Sequence, residues 1–367
     1  MRLRIAAASA ALWIALLTAG TALRATADQP DVAKGFEGAS AWLNGGPPTA
    51  TNLQGKVVLV DFWEYTCINC LRTLPYLREW YRRYKDDGLV ILGIHTPEFA
   101  FSGEQQNVAA AAQHLGVTWP IALDDNHTIW DRFHTDRWPT ELLFDSGAHL
   151  VDRTVGEGDY RKTEKAIQTA LLAMNPKLHM PPVMELLPQD SYDKPGAVCY
   201  LQTPETYVGP WHGTQIANAP SPALGETSGM GADNYYADPG RNYQDGAIYL
   251  QGSWTPSKDG QAMVDQGGGY LTMRYHAIEV MTVMRPQSGS VRVGVTQDGK
   301  PIPKDDAGAD VKYDASGNSY VDVDQARAYH IVENAKFGTH DLRLTPSGNG
   351  LGIYSFAFES CEKPASG

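Results

Sequence analysis

Cysteine is scarce in this chain, with four in 367 residues, which excludes a disulfide-dense scaffold. Basic residues are outnumbered, 30 Lys and Arg against 42 Asp and Glu, for a formal net charge of −12. That balance excludes holding nucleic acid or anionic lipid through a general electrostatic field. Beyond Leu23 no uncharged apolar run is long enough to suggest a membrane span. Low-complexity tracts and internal repeats are also missing, which excludes wholesale disorder and solenoid architectures. Cys-x-x-Cys occurs once and the histidines lack ligand spacing, so no metal site is expected.

What is present begins with MRLRIAAASAALWIALLTAGTALRATADQ. Two arginines precede an uncharged run from Ile5 to Leu23, and Ala25-Thr26-Ala27 supplies a small-x-small cleavage site. A secretory signal peptide over residues 1–27 is expected, with an uncleaved membrane anchor as its rival. Either reading sends the chain to a periplasm or cell exterior. Cleavage removes three arginines and makes the mature chain more acidic still.

From about Asn52 to Leu172, strand-like and helix-like segments alternate. Val57–Phe62 and Leu89–Ile94 are continuous β-prone runs, as strands covered on both faces are. Leu71–Tyr84 carries Leu74, Leu77, Tyr81 and Tyr84 at helical steps, and Gln105–Leu115 and Thr163–Met174 read as further helices. Leu142–Asp145, a DSG turn and Leu150–Val155 form a hairpin. This order predicts an α/β domain with a mixed sheet over residues 35–175. The arginines at 72, 78, 82 and 83 read as the wet face of the first helix. A Pro-rich linker follows over 176–190. Residues 191–367 show short alternating strands and frequent Gly, Pro and Asp turns, the pattern of an all-β, jelly-roll-like sandwich.

The stretch DFWEYTCINC sets Cys67 and Cys70 after a strand and at the start of a helix. As a staple, the pair constrains little: a four-residue loop contributes about 2 kcal/mol in the chain-entropy model. The same model assigns about 5 kcal/mol to a bond between Cys199 and Cys361. That pair, near the first and last strands of the β-rich half, is the expected structural disulfide. Cys67 and Cys70 are left for chemistry. A thiol at a helix N-terminus meets unpaired N–H groups that favour its thiolate, so Cys67 is expected to be an acidified, exposed nucleophile. Cys70, one turn in, then resolves the mixed disulfide.

These residues carry a resemblance. Val-Asp-Phe-Trp ahead of Cys-x-x-Cys, Pro75 five residues beyond, and the later Trp138-Pro139-Thr140 before LLFDSG resemble thioredoxin. GVTWPIALDD is similar to the exported TlpA/ResA-type proteins. DFWEYTCINCLRTLPYL, GIHTPEF and VGEGDY resemble most closely the exported C-terminal part of the DipZ family. There a thioredoxin fold precedes a β-sandwich resembling carbohydrate-binding modules. The resemblance spans roughly residues 35–362. It implies that Asp61 is the buried acid beneath Cys70, accepting a proton from it. It implies a cis bond at Pro139 and a substrate groove lined by Trp138, Pro139 and Thr140. It also implies no cofactor beyond the Cys67–Cys70 disulfide, as in cytochrome c biogenesis-type redoxins. Ile68-Asn69 between the cysteines matches neither the reducing nor the oxidising dipeptide, so it leaves the redox poise open. The membrane domain of the DipZ family is missing, which implies a separate membrane electron donor of the DsbD/CcdA type.

Glu98, in HTPEF, is a candidate for the groove rim, and Glu157, in GEGDY, for substrate contact or capping. In the β-rich half Trp211, Tyr235, Tyr236, Tyr243 and Trp254 are candidates for stacking on sugars, against a reading as ordinary core. The leading expectation is an exported thiol–disulfide oxidoreductase acting on protein thiols and disulfides, reducing or isomerising. Two alternatives stay open. One is a thiol peroxidase of the redoxin group, although Glu64 stands where such sites place a hydroxyl. The other is a glycan- or cell-wall-binding protein with an accessory redox domain.

Overall fold

A computed structural model describes residues 34–187, 197–213, 216–218, 220–221 and 234–362. The expected signal peptide and linker residues 188–190 lie outside the described residues. The first half runs β1 (Ala41–Leu43), α1 (Ala50–Leu53), β2 (Val57–Trp63), α2 (Ile68–Tyr84), β3 (Leu89–His95) and α3 (Gln105–His114). It continues with β4 (Ile121–Leu123), α4 (Thr128–Arg132), β5 (Thr140–Phe144), β6 (Leu150–Val155) and α5 (Tyr160–Met174).

Six strands form one mixed sheet in the order β1-β4-β3-β2-β5-β6. Central β2 pairs in parallel with β3 and antiparallel with β5. All seven residues of β2 are buried because both faces are covered. Val57, Leu59 and Trp63 pack with Leu74, Leu77 and Trp80 of α2 and Ile167 and Leu171 of α5. Val58, Val60 and Phe62 meet Ile129 and Phe133 on the other side. This is a thioredoxin-like three-layer fold.

The second half is all-β. Its long strands Tyr270–Pro286, Arg327–Pro346 and Leu351–Glu359 belong to one twelve-stranded network among the described residues. The expected sandwich layers are therefore joined. Ile248–Pro256 pairs with both Met263–Asp265 and Tyr270–Pro286, which closes the network in barrel-like fashion. Register shifts between Ala277 and Glu279 and between Val280 and Met281 let the long strand bend round a core of Trp254, Tyr275, Leu342 and Phe356. At its margin β7 (Val198–Cys199) pairs with Cys361–Glu362, and Cys199 and Cys361, directly opposite, form a disulfide.

The two halves share one buried apolar cluster. Ala262, Val283, Ala328 and Tyr354 of the all-β half join the core of the first half, and Tyr354 packs edge-on to Phe99 and Phe101. The wet-face reading of the arginines fails at two positions. Arg72 is almost fully covered and bonds Glu157 at 3.2 Å, Glu279 at 2.9 Å and Glu359 at 2.9 Å. It therefore ties α2 to two strands of the all-β half. Arg83 reaches Glu164 and the Pro182 carbonyl. The expected linker is also more than a tether: Met184 donates its N–H to Glu164 and Leu187 to the Tyr76 hydroxyl. No helix of the described residues is long and apolar enough to cross a membrane.

Candidate active site

Cys67 caps α2. Its extended backbone precedes the first helical residue, Ile68, and its sulfur accepts the Cys70 N–H at 3.3 Å. The helix thus begins one turn before the expected Leu71, because the cysteine itself supplies the cap. Cys67 is half-buried and Cys70 is 1% exposed, and both are free thiols. The accessible first sulfur and covered second sulfur suit attack followed by resolution.

The acidified nucleophile expected at Cys67 is not what the surroundings produce. The Cys70 thiol pulls the Cys67 pKa down, burial pushes it up, and the Cys70 amide pulls down again. The Glu98 and Glu64 carboxylates add to the upward push of burial, and the thiol stays above its ordinary value. Helix position alone therefore misjudged the site. The Cys70 thiol is raised further, first by burial and then by Cys67 and Asp61.

Asp61, on β2, is 1% exposed, and neither of its oxygens bonds a partner among the described residues. Burial pushes its carboxyl up to about 8. An acid with that affinity can take a proton from Cys70 near neutral pH, as a solvated aspartate cannot.

Glu98 sits beside Cys67 but does not form an open rim. It accepts the Tyr207 hydroxyl from β8 (Thr206–Tyr207) of the all-β half. The Trp138–Pro139 bond is cis. Trp138 is half-buried against Trp130 at 4.6 Å. Thr140 is fully buried with its hydroxyl spent on the Arg137 carbonyl, so it shapes the loop and offers no groove surface. Glu157 is engaged by Arg72 in the contact between the halves.

Other groups were given no role in thiol exchange by the sequence. Glu64 accepts the Thr66 N–H at 2.6 Å, and burial followed by Glu98 pushes its carboxyl up to about 7. His95, fully buried against Trp63 and Tyr65, is held neutral with its pKa down to about 3. Tyr207 and Glu205 reach the thiol region from more than a hundred residues away in sequence, which no local motif signals. Glu141 lies opposite Asp61 on β5. A charged residue inside an apolar strand, TELLF, was the available signal for it. Among the sugar-stacking candidates Tyr236, Tyr243 and Trp254 are buried, while Trp211 and Tyr235 are exposed. No cluster able to hold a metal occurs among the described residues.

Two family models match: the AhpC/TSA family over residues 31–153 and a thioredoxin-like C-terminal domain over 203–358. Protein DipZ of Mycobacterium bovis and of Mycobacterium tuberculosis are each 31% identical over 333 residues, 88% of this chain. The chain spans 42% of the length of those relatives. The thiol-disulfide oxidoreductase YkuV of Bacillus subtilis is 26% identical over 134 residues, 36% of this chain and 90% of that protein. The chain thus belongs to the thioredoxin-like proteins as a DipZ homologue, with a redoxin half joined to a thioredoxin-like C-terminal domain.

Proposed function

We propose that this chain is an exported thiol–disulfide oxidoreductase that reduces or isomerises disulfides of protein substrates through Cys67 and Cys70. The observation that carries this reading is the half-buried Cys67 sulfur capping α2, with buried Cys70 three residues on and unpartnered Asp61 below. Cys67 attacks a substrate disulfide, Asp61 takes the Cys70 proton, and the Cys70 thiolate displaces the substrate thiol. The two electrons come from the dithiol, so no further cofactor is required. A separate membrane donor of the DsbD/CcdA type restores it.

The raised Cys67 pKa supports the reducing direction. Strong oxidants of this kind stabilise their thiolate and hence their reduced form. Here burial, Glu98 and Glu64 oppose the thiolate, which favours giving electrons away. The same carboxylates disfavour peroxide reduction, which needs a ready thiolate. Only Trp211 and Tyr235 remain exposed among the five candidate sugar-stacking rings, so the all-β half is assigned to supporting the redox site. The test is reduction of insulin by wild type and Cys67→Ser, with the potential of the couple measured alongside. Loss of activity in the variant and a potential nearer −270 than −120 mV are expected. A fully active Cys67→Ser protein overturns the proposal.

A further inference from the structure

Under Cys70 the sheet carries a row of polar side chains that thiol exchange at the surface leaves unexplained. Asp61 on β2 stands directly opposite Glu141 on β5, and Glu141 stands opposite Thr154 on β6. Residues opposite one another on antiparallel strands point to the same face with Cβ atoms about 5 Å apart. Leu59, Trp63 and Leu143, of the same parity, belong to the cluster under α2 and α5, so the row lies on that face. Asp61 is 1% and Glu141 4% exposed. Both Asp61 oxygens and Glu141 Oε1 are buried without a hydrogen-bond partner among the described residues.

Neighbouring carboxyls with buried, unpartnered oxygens are costly to stability unless they hold protons. They are also badly placed for packing alone, since leucine would fill the same space. Other groups facing the row are few. From α2 comes Cys70, and β3 offers only Gly93 opposite Asp61. From β6 comes Asp152, two residues before Thr154 and on its side of the strand, and from α5 comes Lys162. Lys162 and Asp152 form an ion pair of 3.1 Å, and Lys162 is 54% exposed. Asp152 and Lys162 both act electrostatically on Glu141, whereas burial is what acts on Asp61. Glu141 therefore stands between a buried acid and a solvent-facing pair.

We propose that Glu141 relays protons between Asp61 and the Asp152–Lys162 pair at the edge of the sheet. This rests on the disulfide-exchange reading above and deepens its second step. Cys70 S–H gives its proton to the Asp61 carboxylate, and the thiolate attacks the Cys67 sulfur of the mixed disulfide. The Cys67–Cys70 bond forms, the bond from Cys67 to substrate breaks, and the leaving substrate thiolate takes a proton from solvent. The substrate disulfide is thereby reduced by two electrons and the cysteine pair oxidised. Asp61 then passes its proton through Glu141 to the edge and is ready for the next turnover. When a dithiol donor regenerates the couple, the path runs in reverse. Glu141 touches no substrate and acts through Asp61.

The experiment follows the reduced full chain reacting with the aromatic disulfide DTNB. Attack by Cys67 releases one coloured thiolate and resolution by Cys70 releases the second, so the steps separate in time. In Glu141→Gln the first phase should match wild type. The second should slow by about tenfold or more at neutral pH, within the range of proton-transfer catalysis. The pH midpoint of the second phase should stay where burial of Asp61 sets it, so that the fall in rate reads a lost proton path and not a disturbed acid. Glu141→Leu, which fills the space without any proton, should slow the second phase at least as much and serves if the glutamine variant does not fold. A second phase with wild-type rate in either folded variant overturns the relay. A first phase that survives in Cys67→Ser overturns the underlying reading instead.

Discussion

At Cys67 opposing influences meet: the thiol and amide of Cys70 favour the thiolate, while burial, Glu98 and Glu64 oppose it. Glu98→Gln removes one opposing charge, so the Cys67 pKa should fall and alkylation by iodoacetamide at pH 7 should quicken several-fold. Tyr207→Phe should act in the same direction but more weakly, because the Tyr207 hydroxyl helps Glu98 stay ionised. An unchanged alkylation rate in Glu98→Gln would remove that carboxylate from the account. Asp61 gives a separate prediction about stability. Its carboxyl is raised from 3.8 to about 8 by burial, so the folded protein holds a proton that the unfolded chain releases above about 4. This contribution is complete below pH 4 and is lost progressively as pH rises to about 8. Asp61→Asn, always neutral, should flatten that slope and leave the variant more stable than wild type at pH 8. Urea unfolding at pH 5, 6.5 and 8 measures it, and parallel slopes in the two proteins would contradict the assignment.

Helices and strands with strong periodicity were legible from sequence, and their edges were not. β2 and β3 were recognisable because continuous β-prone runs mark strands covered on both faces, and each extends one residue beyond the expectation. β1 and β4, three residues each, carry too little pattern to stand out. α2 started early because a cysteine serves as its cap, a role usually taken by Ser, Thr, Asp or Asn. The proline-rich segment looked like a free linker because closely spaced prolines interrupt the hydrogen-bond ladders of helix and sheet. Its carbonyls and amides nonetheless bond to α2 and α5 through Arg83, Gln168 and Glu164. The pairing of β7 with Cys361–Glu362 lets the effect of its disulfide be stated at this scale. The bond spans a sequence separation of 162, and the chain-entropy model gives about 5 kcal/mol for such a closure. Replacing both cysteines with serine should lower the denaturation midpoint of the all-β half while leaving the two-phase DTNB reaction of Cys67 and Cys70 intact. A midpoint that does not move would show that the strands hold the margin closed without the bond.

Across the whole molecule, the unforeseen feature is how the two halves meet. Sequence pattern separated them correctly in kind, since one alternates helix and strand and the other does not. Contacts between residues 85 or more positions apart leave no periodic trace, so Arg72 read as a solvated helix residue and Glu157 as a substrate contact or cap. In the fold Arg72 lies among Glu157, Glu279 and Glu359, with each side chain 11 to 14% exposed. Removing one partner from a covered ionic cluster typically costs about 3–5 kcal/mol, because the remaining charges are left without compensation. Arg72→Met keeps much of the apolar stem and deletes only the charge. It should loosen the contact between halves that each keep their own core, so a calorimetric transition shared by wild type should separate into two. The same loosening should draw Tyr207 away from Glu98. The variant should then reproduce the faster alkylation of Cys67 predicted for Tyr207→Phe, acting through the seating of the all-β half. If Arg72→Met melts as wild type does and its Cys67 reacts at the wild-type rate, the arginine is not the clamp. The chemistry of the thiol would then be independent of how the all-β half is seated.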